Sequence, residues 1–171
     1  MPSTYTLIKG ETIASSAASY TFTAIPSTFT DLVLRVSAQA TGSGYDFDNL
    51  TITFNGSSAT NQSNTRLLGN GATPSSSRGS NQGVLIPNVL PKGIVAGNPW
   101  SNVELYLANY TVAQNKTSAT FGVGEANQTT AWMSTLAGLF SDTAAITSIV
   151  LTPSADFASG SSFYLYGIKN S

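Results

Sequence analysis

With no histidine and no cysteine in the chain, its chemistry has to be sought among the acidic side chains. Those two absences remove Ser-His-Asp and Cys-His nucleophilic sites and the ordinary zinc ligand sets. Asp46 and Asp48, followed by Asn49, form a run whose oxygens are of the type that binds a calcium ion. The run lacks the distal Glu of a calcium loop, so it reads as a solvated loop. A glycosidase needs two carboxylates facing each other across a cleft, and Glu104 and Glu125 both fall on predicted strands. Eight acidic residues supply such a pair on paper in any chain of this size, so nothing singles this one out. Trp100, Tyr110 and Trp132 carry the flat rings that stack on sugars, but in a small β protein such rings more often anchor a core or an interface. There is no Walker loop and no dinucleotide fingerprint. The residues thus predict a non-enzymatic protein with no catalytic, cofactor-binding or metal-binding side chains.

The elements that would position any site are strands. Leu32–Ala38 alternates strictly, with Leu32, Leu34, Val36 and Ala38 on one face and Val33, Arg35 and Ser37 on the other, a period of two that no amphipathic helix satisfies. Leu50, Ile52 and Phe54 repeat the pattern, and Asn55-Gly56 closes that strand with a strong turn signal. Val103, Leu105 and Leu107 form a third alternation; Ala119, Phe121 and Val123 form a fourth. Shorter strands are expected at Tyr5–Lys9, Ala17–Thr23, Thr65–Leu68 and Val84–Ile86. Thr130–Phe140 is ambiguous between helix and strand, and its threonines and flanking strands favour a strand. Pro87, Pro91 and Pro99 are expected to punctuate a connection. Apart from the short strand expected at Thr65–Leu68, Ser57–Gly83 is turn-rich and reads as one long loop, of a kind that is often functional or becomes ordered against a partner.

The two terminal runs, Ile146–Leu151 and Phe163–Ile168, are rich in β-branched and aromatic residues. In the last one Phe163, Leu165 and Gly167 alternate with Tyr164, Tyr166 and Ile168, so both faces are apolar or aromatic. Such a strand belongs in mid-sheet or against another subunit. The expected fold is all-β: a single antiparallel sandwich domain over residues 1–171, jelly-roll-like, with about eight or nine strands. Leu34, Val36, Leu105, Ile149, Leu151, Phe163 and Leu165 are its expected core.

Composition narrows the function classes further. Only 9% of residues are charged, against roughly 25% in an average globular domain, and Ser, Thr, Asn and Gly supply the polarity instead. The net charge is −1 and the basic residues are scattered, so a nucleic-acid partner has no electrostatic support. No apolar run is long enough to span a membrane. The start of the chain lacks a signal peptide's charged and apolar regions, so cytoplasmic synthesis is the expectation.

Three runs carry a resemblance. ITFNGSSATNQSNTRLLGNG (52–71), GVGEAN (122–127) and DTAAITSIVLTPSADFASGSSFYLYGIKNS (142–171) are similar to small structural proteins encoded by tailed bacteriophages, especially phages of aquatic bacteria and cyanobacteria. The FYLYGIK ending is the most specific part. The resemblance implies a virion component, of the capsid decoration (cement) type, with the major capsid protein as partner; a tail-fibre or glycan-binding module is the alternative. It brings no catalytic residue. Decoration proteins of this kind commonly sit at three-fold positions. With the two-sided final strand, this predicts a homotrimer located in the virion.

Overall fold

The computed structural model describes residues 4–42, 47–56, 59–92, 99–126 and 129–169. Twelve strands and one short 3-10 turn, Ala59–Asn61, make up its regular structure. The alternation is clearest at 47–54 and 102–107, where every second residue is buried. The strands are β1 (Tyr5–Thr12), β2 (Tyr20–Phe22), β3 (Asp31–Ser37), β4 (Phe47–Phe54), β5 (Gln62–Gly69) and β6 (Ser75–Ser80) in the first half. The second half holds β7 (Val84–Pro91), β8 (Asn102–Leu107), β9 (Lys116–Glu125), β10 (Ala131–Phe140), β11 (Ile149–Pro153) and β12 (Ser162–Ile168).

They form two antiparallel sheets, one of eight strands in the order β1-β12-β3-β8-β9-β10-β5-β6 and one of four in the order β2-β11-β4-β7. Among β1–β4, β7, β8, β11 and β12 each successive strand crosses to the opposite sheet except β7, which pairs beside β4, and the orders β1-β12-β3-β8 and β2-β11-β4-β7 are those of a jelly roll. Two inserted hairpins, β5-β6 and β9-β10, then widen one sheet to eight strands. They account for the excess over the expected eight or nine strands.

The core lies between the sheets. All seven expected core residues are at most 2% exposed. Tyr20 stacks on Phe163 at 4.3 Å between centroids, and Phe157 meets the same ring edge-on at 4.9 Å. β12 lies between β1 and β3, its Phe163 and Leu165 buried in this core. Gly167 continues that inward face because Phe29 covers it: an added Cβ would lie 2.2 Å from the Phe29 ring. β9 needs glycine for the same reason, since a Cβ at Gly124 would lie 2.7 and 2.8 Å from the carbonyl oxygens of Asn88 and Val89 on β7. Both glycines fall within the runs that carry the phage resemblance.

Two sequence expectations are overturned here. Within 57–83 the described residues are not one long loop, because β5 and β6 pair in register from Ser63↔Ser80 to Leu68↔Ser75. The ladder is made by the main chain, so a serine-rich segment can join it. The buried face of β5 is polar as well: Gln62 and Asn64 are both 2% exposed, and the Asn64 amide donates to the Gly83 carbonyl at 2.9 Å. No apolar alternation was there to be read. Pro87 and Pro91, expected in a connection, lie inside β7. β7 is the edge of the four-stranded sheet, its register with β4 shifts between Asp48 and Leu50, and Asn88 has φ of 53°. An edge position with a bulge tolerates proline because no ladder donor is required there.

Candidate functional site

The residues first examined for chemistry do not converge. Asp48 is buried, and its carboxylate accepts the Ala155 N–H at 2.6 Å and the Asn49 N–H at 2.9 Å. It braces the turn after β11 from the start of β4 and is not the solvated residue the sequence suggested. Asp46 lies outside the described residues. Among the described residues no group of three or more acidic side chains gathers in a way that could hold a metal ion. Glu104 and Glu125 stand on neighbouring strands of one sheet, not across a cleft. Of the three aromatic residues, Tyr110 is fully buried with its hydroxyl donating to the Pro26 carbonyl, and Trp132 is partly buried. Trp100 is exposed and lies over Gly160.

What does converge is the outer face of the eight-stranded sheet. Nine large apolar side chains are exposed among the described residues, and seven of them stand on this face. Tyr5 and Leu7 come from β1, Tyr164 from β12, Tyr106 from β8, Phe121 from β9, Met133 from β10 and Leu67 from β5; their exposures run from 36% to 60%. Strand alternation sets them there: the intervening residues Leu165, Leu105, Leu107, Thr120, Gly122 and Ser134 are buried on the opposite face. A globular surface normally scatters such residues singly, and a gathering of this kind marks a contact surface.

The register aligns these side chains in rows across the strands. One row reads Gly10, Tyr164, Arg35, Glu104, Phe121, Thr135, Leu67 and Ser76. The row beside it reads Leu7, Tyr166, Val33, Tyr106, Ala119, Ala137, Thr65 and Arg78. Charge near the middle is self-cancelling, since the Arg35 Nε donates to Glu104 at 2.9 Å with both side chains about half exposed. The Arg35 guanidinium also lies 6.0 Å from the centre of the Tyr166 ring. Tyr106 is fixed by donating its hydroxyl to Asp31 at 2.7 Å, while the other oxygen of Asp31 accepts the Asn109 N–H at 2.8 Å. The Asp31 hydrogen bond, helped by burial, pushes the Tyr106 phenol up to about 12.

The face is uneven. The β1 and β12 half carries the tall side chains Leu7, Tyr164 and Tyr166. Beyond β8 the small residues Ala119 and Ala137 leave hollows. One of about 220 Å³ is bounded by Glu104, Tyr106, Ala119, Phe121 and Thr135. Another of about 300 Å³ lies over Ala137, Thr117 and Leu139 beside Arg78. A third, of about 390 Å³, sits at the β5-β6 end against Leu67, Met133 and Pro74. Part of this was readable in the sequence, because the two-sided alternation of 163–168 was already visible. Ala119, Phe121 and Val123 read in the sequence as the one apolar face of a strand, and the structure turns that face outward, with Ser118, Thr120 and Gly122 buried in its place.

The arrangement suits broad contact. Comparison with family models and with curated proteins returns no match to this chain.

Proposed function

We propose that this protein is a non-enzymatic virion structural protein of the capsid decoration type, a homo-oligomer that binds and stabilises an assembled head shell. The observation that carries the reading is the collection of exposed apolar side chains on one sheet face, with a neutral ion pair near its middle. A face with few ions joins another protein surface without the expense of desolvating many charges. The similarity of 52–71, 122–127 and 142–171 to phage structural proteins supports the choice of a head shell as the partner.

One observation favours a second reading, a receptor- or glycan-binding part of a tail fibre. Tyr106 and Phe121 border a hollow that also presents Glu104 and Thr135, a combination that suits a sugar ring. The most exposed side chains on the face are nevertheless Leu67, Met133 and Leu7, aliphatic groups that suit protein contact better than sugar stacking. Cosedimentation of the purified chain with undecorated heads decides between them. The decoration reading expects the protein in the pellet. Protein that stays in the supernatant and adheres instead to host cells or envelope glycans would replace it with the fibre reading.

A further inference from the structure

We infer that the outer face of the eight-stranded sheet is occupied by a second copy of this chain, packed face to face about a two-fold axis that runs parallel to the strands between β3 and β8. The inference rests on reading that face as a contact surface and names its occupant, a two-fold partner in place of the three-fold ring that the resemblance implied. It follows from the order of side chains along the rows. A rotation about such an axis keeps each row at its own height and exchanges β3 with the partner's β8, β12 with its β9, and β1 with its β10.

In the first row this brings Arg35 over Glu104 of the second copy and Glu104 over its Arg35. The intrachain ion pair becomes a four-membered alternation of charge. The same rotation lays Tyr164 on Phe121 of the other copy. In the second row it sets Tyr166 over Ala119 and Leu7 over Ala137, so the tall half of each face enters the hollows of the other. The sequence of sizes and charges is complementary to itself only when read from the centre outward, which is the signature of an isologous contact. Two twisted sheets pack in this way with strands within about 30° of each other.

The area is sufficient. Six of the seven exposed apolar side chains lie within the overlap, each about half exposed, and together present on the order of 500 Å². A standard interface buries ~800 Å² per partner, of which ~65% is apolar in homodimers. Edge-to-edge pairing through β1 is the weaker geometry, because its register shifts between Leu7 and Lys9 and a lysine guards the strand. β5 and β6 project past the second copy's β1, leaving Leu67 and the hollow beside it free for a further partner.

Charge complementation tests the inference. The variants Arg35→Glu and Glu104→Arg are made separately, checked for an unchanged far-ultraviolet circular dichroism spectrum, and examined by sedimentation equilibrium alone and mixed in equal amounts. Wild type is expected at twice the single-chain mass of 17.7 kDa. Each variant alone brings four like charges together at the centre and is expected at the single-chain mass. The mixture restores opposite charges across the axis and is expected to return to the double mass. A wild type that stays single at every concentration overturns the proposal, as does one with the mass of three chains. So does a mixture that fails to recover the pair. A single-chain protein that still pellets with heads would reject the two-fold and keep the assembly role; a pair that ignores heads would do the reverse.

Discussion

Gly124→Ala tests how closely the widened sheet rests on the smaller one. An added Cβ would lie 2.7 Å from the Asn88 carbonyl oxygen, 2.8 Å from that of Val89 and 3.1 Å from the Phe47 ring. Two of these three neighbours are backbone of β7, which cannot rotate aside as a side chain does. Overpacking of this kind costs ~1–3 kcal/mol. Gly124 does not have a positive φ, so alanine recovers ~0.4–1 kcal/mol by restricting the unfolded chain. The net expectation is a loss of ~1–2 kcal/mol, which in a chain of this length lowers Tm by ~2–8 °C. Gly69→Ala is the control: the glycine lies in β5, its φ is also not positive, and no atom lies within 4 Å of the added Cβ. Only the unfolded-state term acts there, so a gain of ~0.4–1 kcal/mol is expected. Urea and thermal unfolding of the two variants side by side measure the difference. Equal stability of the pair would mean that β9 does not pack on β7 at this distance, and the sheet-to-sheet contact described above would be wrong.

Leu165→Ala should cost ~2–5 kcal/mol by urea unfolding, because Leu165 is fully buried beneath the aromatic cluster; an unchanged curve would contradict that placement. Tyr106→Phe should cost ~1 kcal/mol at neutral pH, less than the ~1.5–3 kcal/mol of a hydrogen bond to a charged group because the ring is 39% exposed. The same phenol predicts a pH limb. Its folded value is about 12 against 10.0 unfolded, so its stabilisation is complete below pH 10 and is lost as pH rises from there to about 12. Tyr106→Phe should flatten that limb in alkaline melts, and an unaltered limb would show that the Asp31 bond does not form. Asp48→Ala should cost ~1.5–3 kcal/mol by leaving the Ala155 and Asn49 N–H groups without their carboxylate. The wild-type Tm should not move with added calcium or chelator; a rise with calcium would reveal a site held only by the native state.

The parts of the fold that could be read from sequence were those where burial and alternation coincide. Leu32–Ala38 and Val103–Leu107 face apolar neighbours inward and polar ones outward, and both became strands in the expected phase. Thr130–Phe140 was read as a strand on its threonines and flanking strands instead of on alternation, and it forms β10, with Leu136 and Phe140 buried on one face. Only Thr65–Leu68, part of β5, was expected as a strand; the rest of β5 and all of β6 could not be found in this way. Their buried positions are filled by Gln62 and Asn64, their outer edge by serines, and the ladder that holds them leaves no mark in side-chain type. The first part of β7, Val84–Ile86, was expected as a short strand, and its continuation was hidden by Pro87, which signals a break unless the strand is known to lie at an edge. The candidate face was half legible. Tyr164 and Tyr166 advertised a two-sided strand, but that Tyr106, Phe121 and Met133 share their surface depends on the order β12-β3-β8-β9-β10. That order is set by long-range pairing and cannot be read from any local segment.

An image reconstruction of a virion, at a resolution that separates the two sheets, tests most directly whether this sandwich is a shell component acting through contact. The proposed role expects the eight- and four-stranded sandwich on the outside of the head lattice, with outer sheet faces of neighbouring copies in contact. Density for the same sandwich at the tail tip, or its absence from the particle, would contradict it.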